Sequence, residues 1–164
     1  MSPRPTRACP SPLALLLILA LLLCLAGGPT VRASLEGAVA SRSVPLDLVI
    51  TYTAMHPLHG GAIVEIFGDG AVVRTTRRRG DLQASIRQTE LGTDDLLGLV
   101  DLLVELEAWE QRVPERPPVP DEGRASIHIE IAGREAGFWE WYNDLGEHDR
   151  LLRISELMTD LALR

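Results

Sequence analysis

The sequence predicts an α+β domain: an antiparallel sheet with two amphipathic helices packed on one face. Three observations carry this. Apolar and polar residues alternate over short stretches bounded by Gly, Pro and Asp-Gly turns, the period of strands with one buried face. Two later stretches repeat their apolar residues every three or four positions, the period of a helix with one buried stripe. The order of these periods along the chain is ββββαββα, and strands joined by short turns pair antiparallel.

The elements follow in order. Leu46, Leu48, Ile50 and Tyr52 alternate with Asp47, Val49, Thr51 and Thr53, so the first strand has Leu46 to Tyr52 inward. A loop from Met55 to Gly61 ends it. Ala62–Phe67 and Ala71–Thr76 flank Gly68-Asp69-Gly70, a hairpin turn whose residues tolerate positive φ. A turn at Arg77-Arg78-Arg79-Gly80-Asp81 leads to a weaker strand over Leu82–Gln88. Thr93 then reads as a capping hydroxyl, with Asp94 and Asp95 at the positive end of a helix dipole. Leu96, Leu99, Val100, Leu103 and Leu106 form the buried stripe of that helix. Residues 112–124 hold Pro114, Pro117, Pro118 and Pro120 and so form a crossing loop. Ser126–Ile131 is a strand with Ile127, Ile129 and Ile131 inward, and Glu135–Tyr142 is its partner across Ala132-Gly133-Arg134. The terminal helix, Glu147 to Leu163, carries Leu151, Ile154, Leu157, Met158 and Leu161 on one side.

Residues 1–33 have the three parts of a secretory leader: Arg4 and Arg7, an apolar run of 14 residues from Leu13 to Ala26, then small residues. The run is short of the roughly 20 residues that a spanning helix needs, so no membrane span is expected after cleavage. Val31 and Ala33 suit a cut after Ala33, and Ala38-Val39-Ala40 offers a second site. Residues 34–44 then read as a flexible tether to a single domain over 45–164. The protein is expected in the periplasm or outside the cell. Both cysteines, Cys9 and Cys24, lie in the leader, so thiol catalysis, disulfides and thiolate metal sites are excluded for the mature chain. The chain carries a net charge of −7, with all 16 basic residues Arg. That balance argues against nucleic acid, whose binding needs clustered cations.

The candidate binding residues are His56, His59, Gly60 and Gly61 in the first loop, Arg77, Arg78 and Arg79 at the second turn, and Trp139 and Trp141. Two imidazoles three residues apart suggest a metal only in company, and Pro57 between them prevents a shared helical face. No metal or other cofactor is therefore expected. Arg77 to Arg79 is the one local cation cluster and would suit an acidic partner; Arg79-Gly80-Asp81 reads as a turn and not as an adhesion motif. Phe138-Trp139-Glu140-Trp141-Tyr142 puts Trp139 and Trp141 on one face and Phe138 and Tyr142 on the other, so one pair is core and the other is open to a partner. No Gly-x-Ser-x-Gly, Ser-x-x-Lys or His-Glu-x-x-His occurs, and without Lys no lysine-based covalent chemistry is possible.

A first strand followed by His59-Gly60-Gly61-Ala62, a helix opening Thr93-Asp94-Asp95-Leu96-Leu97 and ending near Trp109, a Pro-rich crossing, the strand Ser126–Ile131 and a terminal amphipathic helix together resemble small bacterial domains of the emfourin type. Some of these inhibit thermolysin-like metalloproteases. That family's loop reads Gly-Gly-Phe-Ala-Gly where Ala62-Ile63 stand here, and a hairpin is added before the helix, so no inhibitory residue is carried over. The expectation is a non-enzymatic secreted binding domain, with an extracytoplasmic protease as the implied partner. A structural envelope protein and a metal-dependent hydrolase are the alternatives.

Overall fold

Val49–His56 pairs with a strand on each side, over its whole length on one and over Val49–Thr53 on the other, and buries alternate side chains. The computed structural model describes residues 30–56, 59–81, 83–112, 116–117 and 119–164. Its elements are α1 (Val31–Ser41), β1 (Val49–His56), β2 (Gly60–Phe67), β3 (Ala71–Arg78), β4 (Ser85–Glu90), α2 (Thr93–Glu105), β5 (Arg124–Ile131), β6 (Arg134–Trp141) and α3 (Asp149–Leu161). The strands form one sheet in the order β4-β3-β2-β1-β5-β6, every neighbour antiparallel. A four-stranded meander is thus completed beyond β1 by a hairpin, after the chain has crossed through α2 and the Pro-rich segment. The fold is α+β, as expected.

Period two sets the faces. Ile50, Tyr52 and Ala54 of β1, Val64 and Ile66 of β2, Val72 of β3, Ile127, Ile129 and Ile131 of β5 and Phe138 of β6 join one core with residues of all three helices. Leu96, Leu99, Val100 and Leu103 of α2 and Leu151, Ile154, Met158 and Leu161 of α3 are the helical half of that core. The opposite face carries Thr51, Thr53, Ile63, Glu65, Val73 and Thr75, all half-buried, and no described helix covers it.

Several boundaries differ from expectation for local reasons. Leu46 is 80% exposed, because a turn closed by the Leu48 N–H on the Pro45 carbonyl delays β1 until Val49. β1 and β2 run further than the first loop suggested, to His56 and from Gly60. β4 starts at Ser85, and only there does its chain align with Thr76. Thr93 is the first helical residue and not the cap: Gly92 holds the cap position, with no side-chain cap bond. Tyr142 leaves the strand in a single 3-10 turn, so the buried partner of Phe138 on the core face is Glu140.

The largest correction concerns the segment expected to be a tether, residues 34–44. Residues 34–41 are not a tether but most of α1, and the domain begins no later than Thr30. Thr30 caps the helix by accepting the Ala33 N–H at 3.2 Å. Val31, Leu35 and Ala38 recur at intervals of four and three and are buried. The chain leaves the helix at Arg42 in the left-handed region, φ 50°, with its N–H returned to the Ala38 and Val39 carbonyls. The segment reads as a linker because Ala, Gly and Ser dominate it and Leu35 is its one large core side chain. Of the leader expected over residues 1–33, residues 1–29 lie outside the described residues.

If α1 belongs to the core, Leu35→Ala will lower the unfolding free energy by about 2–5 kcal/mol, the usual cost of emptying a closed leucine site. Urea denaturation reads this directly. A loss below about 1 kcal/mol would show that α1 is an appendage.

Candidate functional site

Antiparallel pairing brings five strand termini to one end of the sheet. His56 pairs Gly60, which pairs Arg78, on one side. On the other, Thr53 pairs Ser126, so Arg124 and its partner Trp141 lie beside Met55. All three groups of sequence-predicted binding residues therefore meet at this end. A half-open cleft of about 470 Å³ at this end is lined by His56, His59, Gly60, Gly61, Pro120 to Gly123, Tyr142 and Asn143, so of the predicted groups only the first lines it.

His56 is a strut of this cleft. Its Nδ1 accepts the His59 N–H at 3.2 Å, so the ring proton sits on Nε2, which donates to the Asp121 carbonyl 2.9 Å away. This bond ties the end of β1 to the approach of β5. His59 is exposed and packs its ring on that of His56, with centroids 4.5 Å apart. Gly60 and Gly61 have φ of 79° and 145°; a Cβ on either would lie 2.1 Å from the Arg77 carbonyl or 1.9 Å from the Ala54 carbonyl. The glycine pair is thus the price of close backbone crossing between β1, β2 and β3. Arg77 donates to the His56 carbonyl at 3.2 Å, while Arg78 and Arg79 are exposed at the adjoining turn.

The opposite wall is held by Arg116, a residue the sequence did not single out. Its Nη1 and Nη2 each lie 2.8 Å from the Glu122 carboxylate, and its Nε and Nη2 each lie 3.0 Å from that of Asp144. One planar guanidinium therefore makes two bidentate contacts, which an ammonium cannot. Glu122 also accepts the backbone N–H groups of Val119 and Asn143, at 3.4 and 3.2 Å. Arg116 holds the Glu122 carboxyl below its ordinary value, against the opposing effect of burial, and the two N–H groups assist.

Arg116 also stands over Trp141, at 5.1 Å from its ring, and Arg124 lies 4.4 Å from Trp141 and 3.7 Å from Trp139. Trp141 is 4% exposed under these cations, with its Nε1 buried and unpartnered. It is a floor for the cleft wall and not an open contact. Trp139 is half-buried beside Arg124. Its backbone N–H and carbonyl are both bonded by the Gln111 side chain, at 2.9 and 3.0 Å. The edge of β6 is thereby closed against strand addition at this point.

A second group that the sequence hid lies beneath, on the core face. Glu140 is wholly buried and neither carboxylate oxygen has a hydrogen-bond partner. Burial pushes its pKa up, against the pull of His148 and Arg150. Arg150 itself donates to the carbonyls of Leu106 and Glu107, at 2.9 and 2.7 Å, and lies 4.3 Å from the Phe138 ring. It covers the carbonyls at the end of α2 and so locks α2 to α3.

His128, Glu130 and Glu135 bring three potential ligand atoms within 4.8 Å of one another. They lie on the open face of β5 and β6, away from the cleft, and His128 pairs Glu130 at 3.3 Å. Comparison with known protein families and with curated proteins found no match.

A depressed carboxylate stabilises the fold above its unfolded pKa, and that stabilisation is lost as the pH falls through the folded value. Wild type should therefore melt above Arg116→Ala at pH 7, and the gap should close as the pH drops below the ordinary Glu value of 4.5. Calorimetry across that range checks this. A gap independent of pH would mean that Arg116 acts by packing alone.

Proposed function

We propose that this protein is a non-enzymatic binding domain that works outside the cytoplasm and takes a protein partner at the cleft end of its sheet, an extracytoplasmic protease being the partner class. The observation that supports it most is the convergence of three separate chain segments there. The His59–Gly61 loop, the Pro120–Gly123 stretch and the Tyr142–Asn143 turn line one concavity, the Arg77–Arg79 turn adjoins it through the Gly60–Arg78 pair, and the wall behind is fixed by Arg116. Loops placed by a rigid scaffold are a common form of recognition surface. The exposed Arg78 and Arg79 set a positive rim on an otherwise acidic chain, which favours an acidic patch on the partner. Both nitrogens of His56 already face backbone groups, so the ring nearest the cleft is placed for support and not for proton transfer. The choice of a protease comes from the resemblance to emfourin-type domains.

The test is a titration of thermolysin-like metalloproteases and serine proteases with the exported chain. Residual activity should fall to zero at one equivalent with the domain uncut. The triple variant His59→Ala, Arg78→Ala, Arg79→Ala should bind at least about tenfold more weakly, as expected when exposed contacts worth more than 1.4 kcal/mol are lost, with unchanged melting temperature. No inhibition across the panel, or digestion of the domain, overturns the inhibitor reading.

A further inference from the structure

We propose that the exported chain starts at Gly27, released by cleavage of the Ala26–Gly27 bond, so that α1 is part of the working domain. The inference rests on the extracytoplasmic reading above.

A cut after Ala33 falls within α1. It removes the capping Thr30, the buried Val31, and Arg32, which pairs with Glu36 at 2.8 Å and lies 5.7 Å from the Trp109 ring. It also leaves a new ammonium on Ser34, beside the wholly buried Leu35 and at the positive end of the helix dipole. Cleavage at Ala40 deletes nearly the whole helix. Export precedes folding, so a helix does not shield its own bonds; the constraint acts through the product. The product must retain Thr30 to Ser41 if Val31, Leu35 and Ala38 are to close the core with α2, β5 and β6.

Upstream of Thr30 the apolar run stops at Ala26. Two bonds in the interval have small residues one and three places before them, as leader cleavage requires. Ala26–Gly27 follows Cys24 and Ala26, and Gly28–Pro29 follows Ala26 and Gly28. The second is an amide to proline, which lacks the N–H and the rotational freedom of an extended substrate strand. The first therefore carries the assignment. The product keeps Arg32, hence 14 of the 16 arginines against all 23 acids, a net charge of −9.

The full chain with its own leader is expressed in a secreting bacterial host, and the extracytoplasmic protein is examined by intact mass and N-terminal sequencing. Ala26→Arg and Ala33→Arg are run beside it; Ala33 is exposed in α1, so its substitution leaves the core alone. Wild type should start at Gly27, Ala26→Arg should accumulate as the uncut chain, and Ala33→Arg should be processed like wild type. A start at Ser34 or any other residue, or a block by Ala33→Arg, overturns the boundary. A wild-type chain recovered outside the cytoplasm with its whole leader also overturns the boundary, whereas one found only in the cytoplasm overturns the export reading on which the boundary depends.

Discussion

The geometry of the cleft end depends on the guanidinium of Arg116 and the two carboxylates it grips. Glu122 precedes β5 and Asp144 follows β6, so one side chain joins the two ends of a hairpin to the Pro-rich crossing. The remaining acceptor capacity of Glu122 is used on the Val119 and Asn143 N–H groups, which fixes the backbone on either side of the cleft. An exposed ion pair contributes little because water competes for both partners. Here the carboxylate of Glu122 is almost fully covered, its side chain 1% exposed, and the contact is bidentate, so the pair gains direction as well as attraction. His56 performs the corresponding task from β1 through the Asp121 carbonyl. The two ties act on the same short stretch, Val119 to Gly123, from opposite walls.

A parallel arrangement holds the layers together. Arg150 enters the gap between α2 and α3, satisfies carbonyls at the end of α2 and lies against Phe138 of the sheet. Glu140 sits below it in the core with its charge opposed by burial. In both places a buried or half-buried acid is matched by an arginine whose planar fork reaches several acceptors at once. The absence of Lys from the chain has the look of compositional bias, yet at positions 116 and 150 the guanidinium shape has a definite task.

The alternation in β1, β2, β5 and β6 and the helical stripes of α2 and α3 were legible because each element has one face in water and one in the core, so its period is written into local spacing. The chain order and the sheet-and-helix layering followed from that. α1 escaped because Ala38, Ser34 and Gly37 make its pattern resemble a linker, and its single large core side chain, Leu35, gives no period by itself. The cleft end was legible in its parts but not in its assembly. His59, Gly60, Gly61 and the three arginines stand out by type, whereas the Arg116 clamp joins residues 28 positions apart, which no local pattern announces. Trp141 was misread for a related reason: its cover comes from Arg116 and Arg124, and only the folded hairpin brings both over the ring.

The central claim is that Arg116 makes the cleft end a fixed surface in the free protein. Amide hydrogen exchange of the free protein, read at Val119 and Asn143, tests it most directly. Their N–H groups are held by the Glu122 carboxylate and should exchange at least about tenfold more slowly than in Arg116→Ala, while the β1–β2 ladder exchanges alike in both proteins. Equal rates at these two amides in wild type and variant would contradict the clamp.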